Sequence, residues 1–301
     1  MKKILKFLLK ALVSSLFLYL VFSKISITNF VKEIRVINVK MLILAAILYL
    51  STMLFSTIRW SYFVKTKKSF LELFELYMIG TFFNLFMPGT VGGDVIKVYY
   101  LYKEENRKTE PLVSVFMERY IGLCALMTIS SIGLIFGYEY IKGTNITMLF
   151  CLTLSLFIIG TLFVVYFPYE KLYSKLERAR LTIRSYFSDI KTILVTYCLS
   201  LIVQGIGVIV VYILGKGLSI ELNIKYFLIF IPLITVISML PVSLSGFGVR
   251  EYSFFYLFGK FGVPQEKAVG LSLMWFFTMI ITGIIGMFFY LFKKNKPNLD
   301  K

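Results

Sequence analysis

Two stretches of this 301-residue chain set ionisable side chains beside a proline and several glycines. Pro88-Gly89-Thr90-Val91-Gly92-Gly93-Asp94 leads to Lys97, and Pro241-Val242-Ser243-Leu244-Ser245-Gly246-Phe247-Gly248 leads to Arg250 and Glu251. Proline removes a backbone donor and glycine loosens a helix, so a chain interrupted at such points leaves amides and carbonyls in need of partners. A cation next to exposed amides at the start of a resuming helix makes a receptor for phosphate. The amides donate, the helix dipole attracts and the cation neutralises. In that chemistry Arg250 grips a phosphodiester at two points and Lys97 acts as a point charge. Asp94 and Glu251 either pair with these cations or meet an ammonium on the ligand, and both roles stay open.

Glu118 and Arg119 lie seven to eight residues inside an apolar run that begins at Pro111, roughly 11 Å along a helix. Neighbouring residues point about 100° apart on a helix, so these two are expected to find other partners: Arg119 with Asp94, or Glu118 with Lys97. An ion pair that only staples two helices is the competing reading. Other chemistry is thin. With no histidine, imidazole acid–base catalysis, Ser-His-Asp triads and His-ligated metals are excluded. Cys124, Cys151 and Cys198 are scattered without Cys-x-x-Cys spacing and read as buried free thiols. The phosphate-loop motif Gly-x-x-x-x-Gly-Lys-[Ser/Thr] does not occur. No catalytic residue, metal or cofactor is expected.

The elements that must position these groups are membrane helices. The chain is 58% apolar and 16% charged, with a mean hydropathy of +0.81, which a soluble core of this length cannot bury. A span needs roughly 20 apolar residues, and uninterrupted runs lie near 4–23, 41–60, 111–137, 146–167, 192–214 and 268–292. The first contains Lys6 and Lys10, which can snorkel to the interface. It lacks the small-residue pair of a signal-peptidase site, so it is read as an uncleaved helix. Residues 70–87 and 226–240 are apolar but end at the two breaks, and the segments that follow, 95–103 and 249–260, are too short to span alone. Each pair is read as a re-entrant hairpin whose freed backbone is satisfied by protein or by a wet cavity. The result is an all-α integral membrane protein of about six transmembrane helices and two hairpins, in a single polytopic domain.

Charge sets an orientation. The net charge is +17, a signal for anionic headgroups rather than nucleic acid, because no soluble module is available to stack bases. With the N-terminus cytoplasmic, 22 Lys and Arg fall on the inner segments and ten on the outer ones, as the positive-inside rule requires. Residues 23–40 form an outer segment in this layout, Arg59 counts with the cytoplasmic segment 59–69, and within the cytoplasmic basic segment 168–191 the run Tyr169–Lys191 reads as an amphipathic helix on anionic lipid, with a solvated charged loop as the alternative. Both termini are cytoplasmic, and the hairpins enter from opposite faces. An offset of 153 residues carries Pro88 onto Pro241, Gly93 onto Gly246, Ile96 onto Val249, Lys97 onto Arg250 and Tyr99 onto Tyr252. Two halves near 41–137 and 192–292, each with a broken segment, are the pattern of an inverted-topology repeat with its site where the hairpin tips meet. Gly133 and Gly137 form a small-xxx-small pair expected to pack helices.

Met87-Pro-Gly-Thr-Val-Gly-Gly-Asp94 running into Lys97, then Glu118-Arg119, then Pro241-Val-Ser-Leu-Ser-Gly-Phe-Gly-Val-Arg-Glu251 resemble the membrane region of bacterial lysylphosphatidylglycerol synthetases (phosphatidylglycerol lysyltransferases) and their stand-alone flippase-like relatives. The resemblance extends over nearly the whole chain. It implies a protein of a bacterial or archaeal cell membrane that moves an anionic or aminoacylated phospholipid between leaflets, with Lys97, Arg250, Asp94, Glu251, Arg119 and Glu118 at the headgroup. Pro88, Gly89, Gly92, Gly93, Pro241, Gly246 and Gly248 would shape the hairpins. The chain ends nine residues after its last span, so a stand-alone form is expected, served by a separate lipid-modifying enzyme. Lys97 stands where Arg is expected in many relatives and Ser245 where a second Gly is usual, which leaves the headgroup open. A membrane-embedded transferase using Asp94 or Glu118 as base and a small-solute carrier are the competing functions.

Overall fold

In a bilayer the backbone must satisfy its own hydrogen bonds, so long apolar runs become helices. A computed structural model describes residues 2–86, 92–105, 109–166, 177–239, 243 and 246–293. Among them are twelve helices and no strands. These are α1 (Lys2–Phe22), α2 (Ile27–Arg35), α3 (Val39–Ser61), α4 (Phe70–Phe86), α5 (Gly92–Glu105), α6 (Thr109–Ile141), α7 (Asn145–Tyr166), α8 (Glu177–Ser188), α9 (Ile190–Gly217), α10 (Ile224–Met239), α11 (Val249–Gly259) and α12 (Gln265–Phe292). Side chains start several for reasons visible in the sequence. Asn38 accepts from the Lys40 N–H at the head of α3, and Asp189 accepts from the Thr192 N–H at the head of α9.

Among the described residues five helices, α3, α6, α7, α9 and α12, are each long and apolar enough to cross a membrane, and α1 with α2, bent by 86° at their junction, make a sixth when taken as one span. Residues 23–40, expected as an outer segment, contain a helix of their own, α2. Ser26 caps α2 through the Asn29 N–H, and this short amphipathic helix is tied to the start of α12. The Ser26 N–H donates to Glu266, and Lys267 sits 3.7 Å from Glu33. Helix α1 is built into the bundle: its Phe17 ring meets Tyr252 of α11 at 5.2 Å. Of the expected basic helix, the described part is helical over Glu177–Ser188 and ends before Lys191. It is α8, with Arg178 and Arg184 exposed and the Tyr186 hydroxyl donating to the Phe63 carbonyl at 2.6 Å; residues 167–176 lie outside the described ones. The thiols are free, but Cys151 and Cys198 are exposed and Cys124 is half-buried. Lipid-facing surface serves a small apolar thiol as well as a core does, so burial was the wrong expectation.

Both interrupted helices fold back on themselves. In the first hairpin α4 and α5 approach so closely that a Cβ on Gly93 would lie 2.0 Å from the Gly80 carbonyl oxygen. The Gly93 N–H, orphaned by the break, donates to Asn84 Oδ1 at 2.7 Å. Gly92 opens α5. In the second, Gly246 and Gly248 take φ of +79° and +80°, a region costly for any residue with a Cβ. A Cβ on Gly248 would also lie 2.5 Å from the Ser14 carbonyl of α1. The arms α10 and α11 are held together by Phe227 and Phe230 against Phe258, at 5.2 and 5.3 Å. The expected shaping residues Pro88, Gly89 and Pro241 lie outside the described residues.

Each hairpin packs on the far half of the chain. Helix α4 lies on α12 and α10 lies on α6, with α3 against α9. A glycine makes each crossing close. A Cβ on Gly286 of α12 would stand 2.1 Å from the Met78 carbonyl oxygen of α4, and one on Gly133 of α6 would stand 2.8 Å from the Leu228 carbonyl oxygen of α10. Gly133 and Gly286 are 153 residues apart, the offset that relates the two breaks. Small residues let helices approach where apolar burial supplies no drive between them. Gly286→Ala must push α4 off α12 and should cost about 1–3 kcal/mol, seen as a lowered thermal midpoint in detergent. Gly160→Ala, with nothing within 4 Å, should leave the midpoint unchanged.

Candidate functional site

Asp94 and Lys97 are three residues apart on α5 and so share a face, with Lys97 Nζ 3.2 Å from Asp94 Oδ1. Glu118 and Arg119 leave α6 in different directions. Lys97 Nζ donates to Glu118 Oε2 at 2.9 Å, while Arg119 pairs with Asp94 Oδ2. Both expected pairings are present. The other Glu118 oxygen, Oε1, accepts from Arg59 Nη2 at 2.9 Å and from the Tyr77 hydroxyl at 2.7 Å. Arg59 Nη1 continues to Ser200 of α9 at 3.0 Å. Helices α3, α4, α5, α6 and α9 are thus tied through one carboxylate.

These groups are deep. The Arg59, Lys97 and Glu118 side chains are 7%, 6% and 3% exposed. Desolvating an ion costs several kcal/mol even after relaxation, and the cost is offset only by several good partners at once. Lys97 has them: besides two carboxylates, its ammonium sits 4.3 Å from the Tyr77 ring centroid and 4.9 Å from that of Trp60. Two glycines make room for the cations. A Cβ on Gly80 would lie 3.3 Å from Lys97 Cγ, and one on Gly122 would lie 3.2 Å from Arg59 Nη1.

The second hairpin carries its own pair. Arg250 Nη2 and Nε donate to Glu251 Oε1 at 2.7 and 3.1 Å, joined by the Ser272 hydroxyl at 3.1 Å. Glu251 Oε2 accepts the Gly248 N–H at 2.7 Å, a favourable place for a carboxylate at the start of α11. The Arg250 guanidinium lies 4.8 Å from the Phe276 ring centroid. Of the two roles open to Asp94 and Glu251, pairing with the neighbouring cation is the one observed.

Arg250 and the first-hairpin cluster line a single cavity of about 340 Å³. Its wall includes Asp94, Lys97, Glu118, Arg119 and Arg250. Tyr49 and Arg59 of α3, Tyr77, Thr81 and Asn84 of α4, Gln204 of α9 and Thr235 of α10 add further polar groups. Glu251 stays behind Arg250, with no exposed surface. Arg119 is the most accessible of the paired cations, with a 32% exposed side chain. Sequence reasoning missed Arg59, Tyr77, Asn84, Ser200 and Gln204. Arg59 ends the apolar run 41–60 and counts with the cytoplasmic segment 59–69, but the structure buries it at the end of α3. A polar residue at an apolar helix end looks alike whether it meets water or Glu118. A second, apolar hollow of about 360 Å³ lies between α3 and α12, lined by Leu42, Ile43, Ala46, Ile47, Leu50, Phe277, Ile281 and Ile285. No cluster of three or more metal-ligating side chains occurs among the described residues.

A sequence model described as the lysylphosphatidylglycerol synthase TM region matches residues 7–286. The chain belongs to that family. A UPF0104 membrane protein of Methanocaldococcus jannaschii is 23% identical over 303 aligned positions, covering 90% of each chain. No solved structure matches. Across this family member's cavity, Glu118 is the shared acceptor, so Glu118→Gln leaves Arg59 and Lys97 without their common counter-charge. Breaking a buried pair in this way costs about 3–5 kcal/mol. A double-mutant cycle of Glu118→Gln with Lys97→Met, read by thermal unfolding in detergent, should show the double variant less destabilised than the sum of the single ones.

Proposed function

We propose that this protein is a lipid translocator, moving the headgroup of a phospholipid between leaflets through the cavity that both hairpins line while its acyl tails stay in lipid. The observation that carries this reading is the common cavity. Arg250 from the second half and the Asp94–Lys97–Glu118–Arg119 cluster from the first line one space, though more than a hundred residues separate them. Arg250 and Arg119 are the cations best placed for the phosphate, because Lys97 is committed to two carboxylates. The apolar hollow between α3 and α12 is lined by residues next in sequence to cavity-lining ones on those helices, Leu50 after Tyr49 and Phe277 after Phe276. It offers a place for tails.

The exchange of partners between halves, α4 on α12 and α10 on α6, each with a glycine at the same 153-residue offset, supports an inverted repeat. Its hairpins would enter from opposite leaflets, and rocking of one half against the other would open the cavity to each side in turn. In this reading the protein sits in the cell membrane with both termini cytoplasmic, and a separate enzyme makes or modifies the lipid.

Removing Arg250 alone would strand buried Glu251, so the informative variant is Arg250→Gln with Glu251→Gln. Loss of a charge-assisted contact worth about 1.5–3 kcal/mol should slow exchange of labelled phosphatidylglycerol in proteoliposomes at least about tenfold, with the thermal midpoint kept near that of the unaltered protein. Unchanged exchange in a folded double variant overturns the site.

A further inference from the structure

A receptor for an ammonium group consists of carboxylate oxygens and the faces of aromatic rings. The cavity contains one, and it is filled from within. Lys97 Nζ lies 2.9 Å from Glu118 Oε2, 3.2 Å from Asp94 Oδ1, and 4.3 and 4.9 Å from the ring centroids of Tyr77 and Trp60. We propose that Lys97 is a built-in occupant of this ammonium box, so that the cavity selects an anionic headgroup, a phosphodiester without an amine, over an aminoacylated one. The inference rests on the translocator reading for the identity of the ligand as a lipid, and it adds the charge class of the headgroup.

The remaining acidic oxygens are occupied too. Glu118 Oε1 accepts from Arg59 and Tyr77, Asp94 Oδ2 from Arg119, Glu251 Oε1 from Arg250 and Ser272, and Glu251 Oε2 from the Gly248 N–H. All six oxygens of the three carboxylates already have a donor. The charges do not cancel. Arg59, Lys97, Arg119 and Arg250 stand against Asp94, Glu118 and Glu251, an excess of one positive charge among the described residues. The undescribed stretches that join the hairpin arms, 87–91, 240–242 and 244–245, contain no ionisable side chain. Among the described residues, Arg250 Nη1 meets only the weak acceptor Met279 Sδ, at 4.0 Å. A phosphodiester entering this space cancels the excess charge and gives Arg250 a strong acceptor. A lysyl ester of phosphatidylglycerol brings two ammonium groups on one phosphate and raises the positive charge, with no carboxylate left unpaired to receive it.

Lys97→Gln empties the box without stranding its walls, since Glu118 keeps Arg59 and Tyr77 and Asp94 keeps Arg119. The test measures competitive retention of phosphatidylglycerol and lysylphosphatidylglycerol by the purified full chain, using native mass spectrometry, alongside leaflet exchange of each lipid in proteoliposomes. The unaltered protein should retain phosphatidylglycerol at least about tenfold over the lysyl lipid. Lys97→Gln should shift that ratio at least about tenfold toward the lysyl lipid, and Lys97→Arg should leave it in place. Equal or greater retention of the lysyl lipid by the unaltered protein overturns the proposal, even if the variants fail to fold. So does an unmoved ratio in folded Lys97→Gln. Selective retention of phosphatidylglycerol with no exchange of either lipid would refute translocation and leave the headgroup selectivity standing. Equal retention and equal exchange of both would do the reverse.

Discussion

A carboxylate inside a membrane bundle has to be surrounded by donors or it cannot stay charged, and Glu118 is where this protein meets that demand. Its two oxygens take donors from Arg59 on α3, Tyr77 on α4 and Lys97 on α5. Those donors in turn fix how three helices sit against α6. Arg59 extends the tie to Ser200 on α9, and Lys97 extends it to Asp94 and so to Arg119. The desolvation cost of each ion is offset by the several partners it keeps at once. The cluster therefore specifies one arrangement of five helices more sharply than apolar packing between helices in lipid would.

The hairpins follow from a second constraint. Backbone freed at a break must find partners inside the protein, and here it does: Asn84 takes the Gly93 N–H, and Glu251 takes the Gly248 N–H. The same Glu251 neutralises Arg250, so the group that repairs the backbone also allows a guanidinium to sit at the cavity wall. In the first hairpin these duties fall to different residues, with Asn84 at the break and Glu118 on the charge. The two halves thus reach one cavity by unlike chemistry. That difference is why the first side is a closed network while the second presents an arginine to the space between them.

Much of this was legible beforehand. The six long runs became α1, α3, α6, α7, α9 and α12 because lipid imposes a length and a composition that few other structures share. The breaks were legible because a proline and several glycines crowd into one short stretch at each, whereas single ones such as Pro232 in α10 and Gly133 in α6 sit inside continuous helices. The Arg119–Asp94 and Lys97–Glu118 pairs followed from helix geometry and the cost of an unpaired ion. Helix α2 was missed because a nine-residue amphipathic turn of chain between charged residues reads like a loop. Arg59 was missed because nothing local separates an arginine at a helix end that faces headgroups from one that faces Glu118.

The sequence alone determined that the protein lives in lipid, where its helices break, and which ionisable residues are too deep to remain single. These are consequences of length, hydropathy and backbone chemistry, all local. Tertiary structure decided that Lys97 and Arg250 share a cavity, that Lys97 spends its charge on Glu118 and Asp94, and that Glu251 stands behind Arg250 rather than in the open space. Those outcomes depend on which helix faces which. That is set by close glycine crossings at Gly133 and Gly286 and by donors converging from helices far apart in the chain, and no single segment contains that information.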